Sequence, residues 1–378
     1  MPTTPCSDRA DLALIPDREP TPANRLRLDY RAEAERLGAP PVPIVDAHSH
    51  INGAQATPVF RDVCDLYNVD RVWTMTRLED VPTVKSVMGD RVEFIAVPNW
   101  MAKDKAHAFQ QGYLDDIRAY HDHGAQIVKF WAAPRGRDLA KDIGDPDAMS
   151  LENPWRLKAM ELASDLGMFF MAHIADPDTW FQTKYADASF YGTKAQQYES
   201  VERVMDRFTQ PWILAHMGGW PEDLAFLSGL LERHDNLYLD ASATKWMIRE
   251  LSKHPRADLL AFHERWTGRL LFGSDIVTTD QHFESEHEDR GMGHLAANAE
   301  EAFELYASRY WALRTLWETG YEGESNIADP DLMLVDPESH NEMSAPRLAG
   351  KCLPPAVLRA FYRDAATNLM NSWRAPSA

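Results

Sequence analysis

Eight short apolar runs constrain this chain more than any other feature. They are "PIVDAH" (43–48), "VDRVWTM" (69–75), "RVEFIAV" (91–97), "AQIVKFWA" (125–132), "MFFMAH" (168–173), "WILAHM" (212–217), "NLYLDA" (236–241) and "RLLFGSD" (269–275). Between them lie longer helix-like stretches such as "NPWRLKAMELASDLG" and "YESVERVMDRFTQ". Several of these stop at glycine or before proline, as helices do. Such alternation builds a parallel α/β protein, and eight units close into a (β/α)8 TIM barrel. A doubly wound open sheet is the rival, but no G-x-G-x-x-G follows the first run. With 378 residues, 44% of them hydrophobic, the chain can bury a core of barrel size.

The barrel is expected over residues 43–280. Residues 1–42 are proline-rich with one charged helical stretch, "ANRLRLDYRAEAERLG", and read as an N-terminal arm. Residues 281–345 form a long insertion after the last strand, at the end where a barrel has its mouth. Its aromatic stretch at 303–321 reads as a lid, a subunit interface or simple helix packing. Residues 346–378 read as closing helices.

In such barrels catalytic groups sit at the C-terminal ends of the strands. Here the first run ends with His48 and continues to His50. The fifth ends with His173, the sixth carries His216, the seventh reaches Asp240 and the eighth ends with Asp275. Alternate residues of a strand point to the same side, so His48 and His50 project together. A second H-x-H, His121 and His123, precedes the fourth run and belongs to the opposite end of a barrel. It reads as a surface feature. His48, His50, His173 and Asp275 offer three nitrogens and one oxygen, a set for one divalent ion, zinc first and manganese second. Taken singly, each could instead be a polar strand end bonded to a loop.

Taken in order, "DAHSH" (46–50), "MAH" (171–173), "AHMGG" (215–219), "GSD" (273–275) and the closing "ATNLMNSW" resemble the amidohydrolase superfamily. The resemblance is to its amidohydrolase-related branch, which contains aminocarboxymuconate-semialdehyde decarboxylase. It implies that His48, His50, His173 and Asp275 hold one metal. It also implies that His216 is a catalytic acid/base beside a metal-activated water, and that Asp275 takes the water's proton. In two-metal members a carboxylated lysine on the fourth strand bridges the ions, and Lys129 occupies that strand. Many decarboxylases of the branch carry Glu at the first histidine, whereas this chain keeps His48.

Arg77, Trp100, Trp131 and Arg135 lie near expected strand ends and suit a small, carboxylate-bearing substrate. Asn99, Arg137 and Lys245 lie near them too, although "APRGRD" also fits a solvated loop. His282, His287 and His294 form a third histidine group, among acidic residues that suit a solvated loop. The 58 acidic residues exceed the 39 basic ones, giving −19, which disfavours nucleic acid as a partner. No run suits a membrane span, no secretory signal precedes the arm, and three cysteines are too few for a disulfide framework. The expectation is a cytoplasmic enzyme acting on a small molecule, with a homo-oligomer left open. Three functions compete: a metal-dependent hydrolase of an amide- or lactone-like bond, a metal-dependent non-oxidative decarboxylase, and a non-catalytic metal-binding barrel.

Overall fold

A computed structural model describes residues 11–284 and 292–374. They divide into two compact units. One draws on Met1–Val72, Thr83–Arg91 and Ala241–Ala378, the other on Trp73–Pro82 and Val92–Asp240. Each of the eight apolar runs contains a strand, strands alternate with helices, and the class is the expected (β/α)8 barrel.

In the second unit the strands are β3 (Val92–Ala96), β4 (Ile127–Trp131), β5 (Phe169–His173), β6 (Trp212–Leu214) and β7 (Leu237–Asp240). They pair in parallel, each with the next. The β4–β5 register sets Lys129 opposite Met171 and Trp131 opposite His173. Helices start where the sequence caps them. The Asn153 side chain accepts from Trp155 N, and Thr193 with Gln196 forms a reciprocal capping box for Lys194–Arg207. Each cap is worth about 1 kcal/mol.

In the first unit β1 (Ile44–His50) pairs in parallel with a short β9 (Ile276–Val277), Ser49 opposite Ile276. β2 (Val69–Thr74) gives residues to both units. The eighth run is less regular than its sequence suggests. β8 covers only Leu270–Leu271, and pairing resumes at Ile276. Polar contacts to β1 and a left-handed Asp275 (φ 59°) break the strand. The 281–345 segment contributes a 20-residue helix, Ala299–Glu318, with 15 residues buried, Tyr306, Tyr310, Trp311 and Trp317 among them. The Trp311 indole donates to Glu33 (2.8 Å) on the arm helix Tyr30–Leu37, and Arg18 pairs with Glu304 (2.6 Å). Arm and insertion helix therefore share one core, tied by these polar pairs.

Candidate metal centre

In the first unit the side chains of Asp46, His48 and His50 share one side of β1 because strand periodicity is two. His48 Nε2 lies 3.4 Å and His50 Nε2 3.2 Å from the same oxygen, Asp275 Oδ1. All three ligand atoms lie within 4.8 Å of one another. His48 Nδ1 meets the Ser242 hydroxyl at 3.1 Å, which leaves Nε2 to face Asp275. Two imidazole nitrogens aimed at one carboxylate oxygen are the donor set a divalent transition metal needs, so these residues fit a metal ion.

Asp46 explains why the cluster holds its shape. Its Oδ1 accepts from His48 N (3.1 Å) and Ser274 N (3.0 Å). Its Oδ2 accepts from the Ser274 hydroxyl (2.6 Å) and from Tyr310 OH (2.7 Å) on the Ala299–Glu318 helix. Burial pushes the Asp46 carboxyl up to about 6 against the pull of these donors. Gly273 lets the eighth strand close on the first, since a Cβ there would stand 3.0 Å from His48 Cβ and 2.9 Å from Ser242 Cβ.

In the second unit His173 ends β5, and its Nε2 meets Asp176 Oδ1 at 2.8 Å; Tyr185 OH donates to the other Asp176 oxygen at 2.7 Å. A carboxylate on one ring nitrogen leaves the other as the metal-binding one. The His216 ring stands edge-on to His173, centroids 4.5 Å apart. His216 N donates to Asp240 Oδ1 (2.9 Å), which gives the acid at the end of β7 an orienting task. "HMGG" forms a turn of four successive left-handed residues: His216 (φ 59°), Met217 (φ 52°), Gly218 (φ 63°) and Gly219 (φ 78°). A Cβ on Gly219 would sit 2.1 Å from Ala175 O, so only glycine fits. For His216 and Met217 this backbone costs about 1–2 kcal/mol each, and Tyr198 OH, bonded to Gly218 O (2.9 Å), helps hold it.

The remaining sequence candidates fall elsewhere. Lys129 is buried in β4, its carbonyl bonded by Tyr113 OH. Trp100 and Trp131 meet edge-to-face at 5.4 Å and pack with Phe109 in an apolar cluster. Arg77 forks onto Asp80 (2.9 and 2.6 Å). Arg135 is exposed at the start of the Gly136–Ile143 helix. His121 and His123 end the Gln111–Asp122 helix ahead of β4. His282 is buried, its Nδ1 2.7 Å from Tyr306 OH, and not solvated; His294 is exposed, and His287 lies outside the described residues. Sequence reasoning missed Asp176, Tyr185, Ser242 and Tyr310. Only Asp176 had a local signal, an acid three residues after His173.

The amidohydrolase family profile matches residues 107–369. The chain belongs to the amidohydrolase family. As a member it is a metal-dependent enzyme of hydrolase or carboxy-lyase type. No curated protein sequence matches it. Among solved structures, this amidohydrolase is similar to a probable 2-pyrone-4,6-dicarboxylic acid hydrolase from Acinetobacter baumannii, with 13% identity and TM-score 0.41 over 71% of this chain and 96% of that one. It is similar to 5-carboxyvanillate decarboxylase from Novosphingobium aromaticivorans, solved with manganese and a nitrobenzoic acid, with 10% identity and TM-score 0.43 over 89% and 97%. A third is yeast (Saccharomyces cerevisiae) dihydroorotase, with 12% identity and TM-score 0.37 over 72% and 84%. Among the described residues no helix is long and apolar enough to cross a membrane.

Proposed function

We propose that this amidohydrolase is a mononuclear hydrolase of an amide- or lactone-like bond in a small, carboxylate-bearing substrate. His48, His50, His173 and Asp275 are its metal ligands. The observation that carries the reading is the intact pair of histidines, both aimed at Asp275 Oδ1, where the resemblance places Glu in many decarboxylases. When bound, a zinc ion supplies a Lewis acid and lowers the pKa of its water toward about 7. The chain's own residues do the rest. Asp275 takes the proton of the attacking water. His216, held through its backbone by Asp240, gives a proton to the leaving nitrogen or oxygen. Asp176 fixes the tautomer of His173.

Elemental analysis of protein purified without chelator is the first test. One equivalent of zinc or manganese, lost in a His48→Ala/His50→Ala double variant, supports the site. Two equivalents would instead make Lys129 a bridging ligand. A panel of lactones, amides and aromatic acids, followed by both acid release and CO₂ detection, then separates the chemistries. CO₂ release without hydrolysis would sink the hydrolase reading and install the decarboxylase.

A further inference from the structure

A cavity of about 100 Å³ opens at the C-terminal ends of β4 and β5, where Ala132 follows Trp131 and Ile174 follows His173. Its polar lining is Arg137, Asp147, Ser150, Gln196, Gln197 and Ser200. Arg137 makes no side-chain hydrogen bond or ion pair with any described residue. Its acidic neighbour Asp138 is taken up by Tyr191 OH (3.0 Å) and Lys141 (3.2 Å).

A second arginine stands behind the cavity wall. Arg156, on the Pro154–Asp165 helix, is 1% exposed and has no carboxylate in ion-pair contact among the described residues. Its Nε donates to Ala148 O (3.3 Å), and its Nη2 donates to Trp131 O (3.4 Å) and touches Met149 Sδ (3.1 Å). Its Nη1 has no hydrogen-bond partner. Burial lowers its pKa to about 10, with only Tyr113 pulling the other way. The Phe109 and Phe130 rings, 5.9 and 5.7 Å from its Cζ, offset part of the burial cost, but no carboxylate balances the charge. Met149 is the link, because it touches Arg156 on one side and lines the cavity on the other. In a chain of net charge −19, one arginine without an acid lines this space and a second touches its wall through Met149.

We propose that this cavity is a carboxylate-binding subsite, with Arg137 holding the anion and Arg156 supplying a fixed positive charge from behind. The low-dielectric wall between them transmits that charge better than water would. Ser150, Ser200 and Gln196 offer further donors. Asp147 is the one opposing charge in the lining; it and Arg137 are both exposed and screened alike, which leaves the buried Arg156 as the less screened charge. The space accepts a carboxylate with a methylene or two. The inference rests on the proposed function only in treating that carboxylate as one end of the substrate.

Fluoroacetate binding, followed by fluorine NMR, tests the cavity apart from the metal. Saturable binding is expected in the wild type and, unchanged, in the His48→Ala/His50→Ala variant. Arg137→Gln should weaken it by at least about tenfold, and acetate but not acetamide should compete. Arg156→Met keeps the bulk and should weaken binding several-fold. Binding lost with the histidines but retained in Arg137→Gln would put the carboxylate at the metal. That outcome overturns the subsite and leaves the proposed function standing. No saturable binding, or equal competition by acetamide, overturns it too. An unchanged affinity in a folded Arg156→Met removes the buried charge from the proposal.

Discussion

The two units support their site residues by opposite means. In the first, one buried acid gathers everything. Asp46 ties β1, the broken eighth strand and the Ala299–Glu318 helix together, and His48, His50 and Asp275 converge around a single oxygen. In the second, each histidine has its own acid: Asp176 on the ring of His173 and Asp240 on the backbone of His216. Both carry backbone strain, at a left-handed Asp275 in the first and at left-handed His216 and Met217 in the second. A shared acid freezes relative positions, which suits holding a metal. Separate acids set tautomer and orientation one ring at a time, which suits giving His173 to a metal and His216 to a proton. Strain in such a turn persists only where surrounding contacts impose it.

The largest expected effect breaks the comparison at its proton-moving side. His216→Asn should cut turnover by about 10²–10⁴-fold while the metal content measured by elemental analysis stays near that of the wild type. A parallel loss of metal would make His216 a ligand and erase the distinction between the two rings.

Glycine substitutions sharpen the contrast within the strained turn. Gly219→Ala drives a methyl into Ala175 O at 2.1 Å and should cost roughly 3 kcal/mol or more in urea unfolding. Gly218→Ala meets nothing closer than Leu227 Cδ2 at 3.4 Å and should cost only about 1–2 kcal/mol, the left-handed penalty alone. Equal costs would show that the turn is not pressed against the Ala175 carbonyl.

The supporting acids can be compared directly by titrating metal into metal-free protein. Tyr310→Phe removes one donor from Asp46 without touching a ligand, and Asp176→Asn neutralises the acid on His173. Each should weaken metal affinity by about 10–100-fold. If Tyr310→Phe leaves affinity unchanged at unchanged thermal stability, the insertion helix plays no part in shaping the metal site.

How much of this the sequence reveals follows the same division. Strand positions and the polar residues at their ends are periodic or local features, so all eight runs and the order His48, His50, His173, His216, Asp275 are readable from pattern. The break in the eighth strand is not, because Asp46 imposes it from 228 positions away. Tyr310 reaches Asp46 across 264 positions, with nothing in its aromatic-rich stretch to distinguish it from packing neighbours. Among the arginines, pattern names Arg77, Arg135 and Arg137 alike, yet only Arg137 lines the cavity. Arg135 is the N-cap residue of the Gly136–Ile143 helix and Arg137 stands in its first turn, so the helix start decides which one meets the cavity.

The smallest effect concerns the scaffold of the first unit. His263 is fully enclosed between Trp317 of the insertion helix (5.2 Å) and Phe361 (4.9 Å), and burial lowers its pKa from 6.5 to about 3. In the unfolded chain it protonates near 6.5, whereas in the fold it stays neutral. The stability from the neutral ring is complete above pH 6.5 and is lost as the pH falls from there toward 3. Between pH 7 and 5.5 this single group should remove about 1 kcal/mol. His263→Phe should remove that part of the pH dependence in thermal melts while leaving the acid-driven remainder. An unchanged slope would mean that the ring takes up its proton inside the fold. The core packed against the insertion helix would then admit water, and the rigidity ascribed to the first unit could not rest on it.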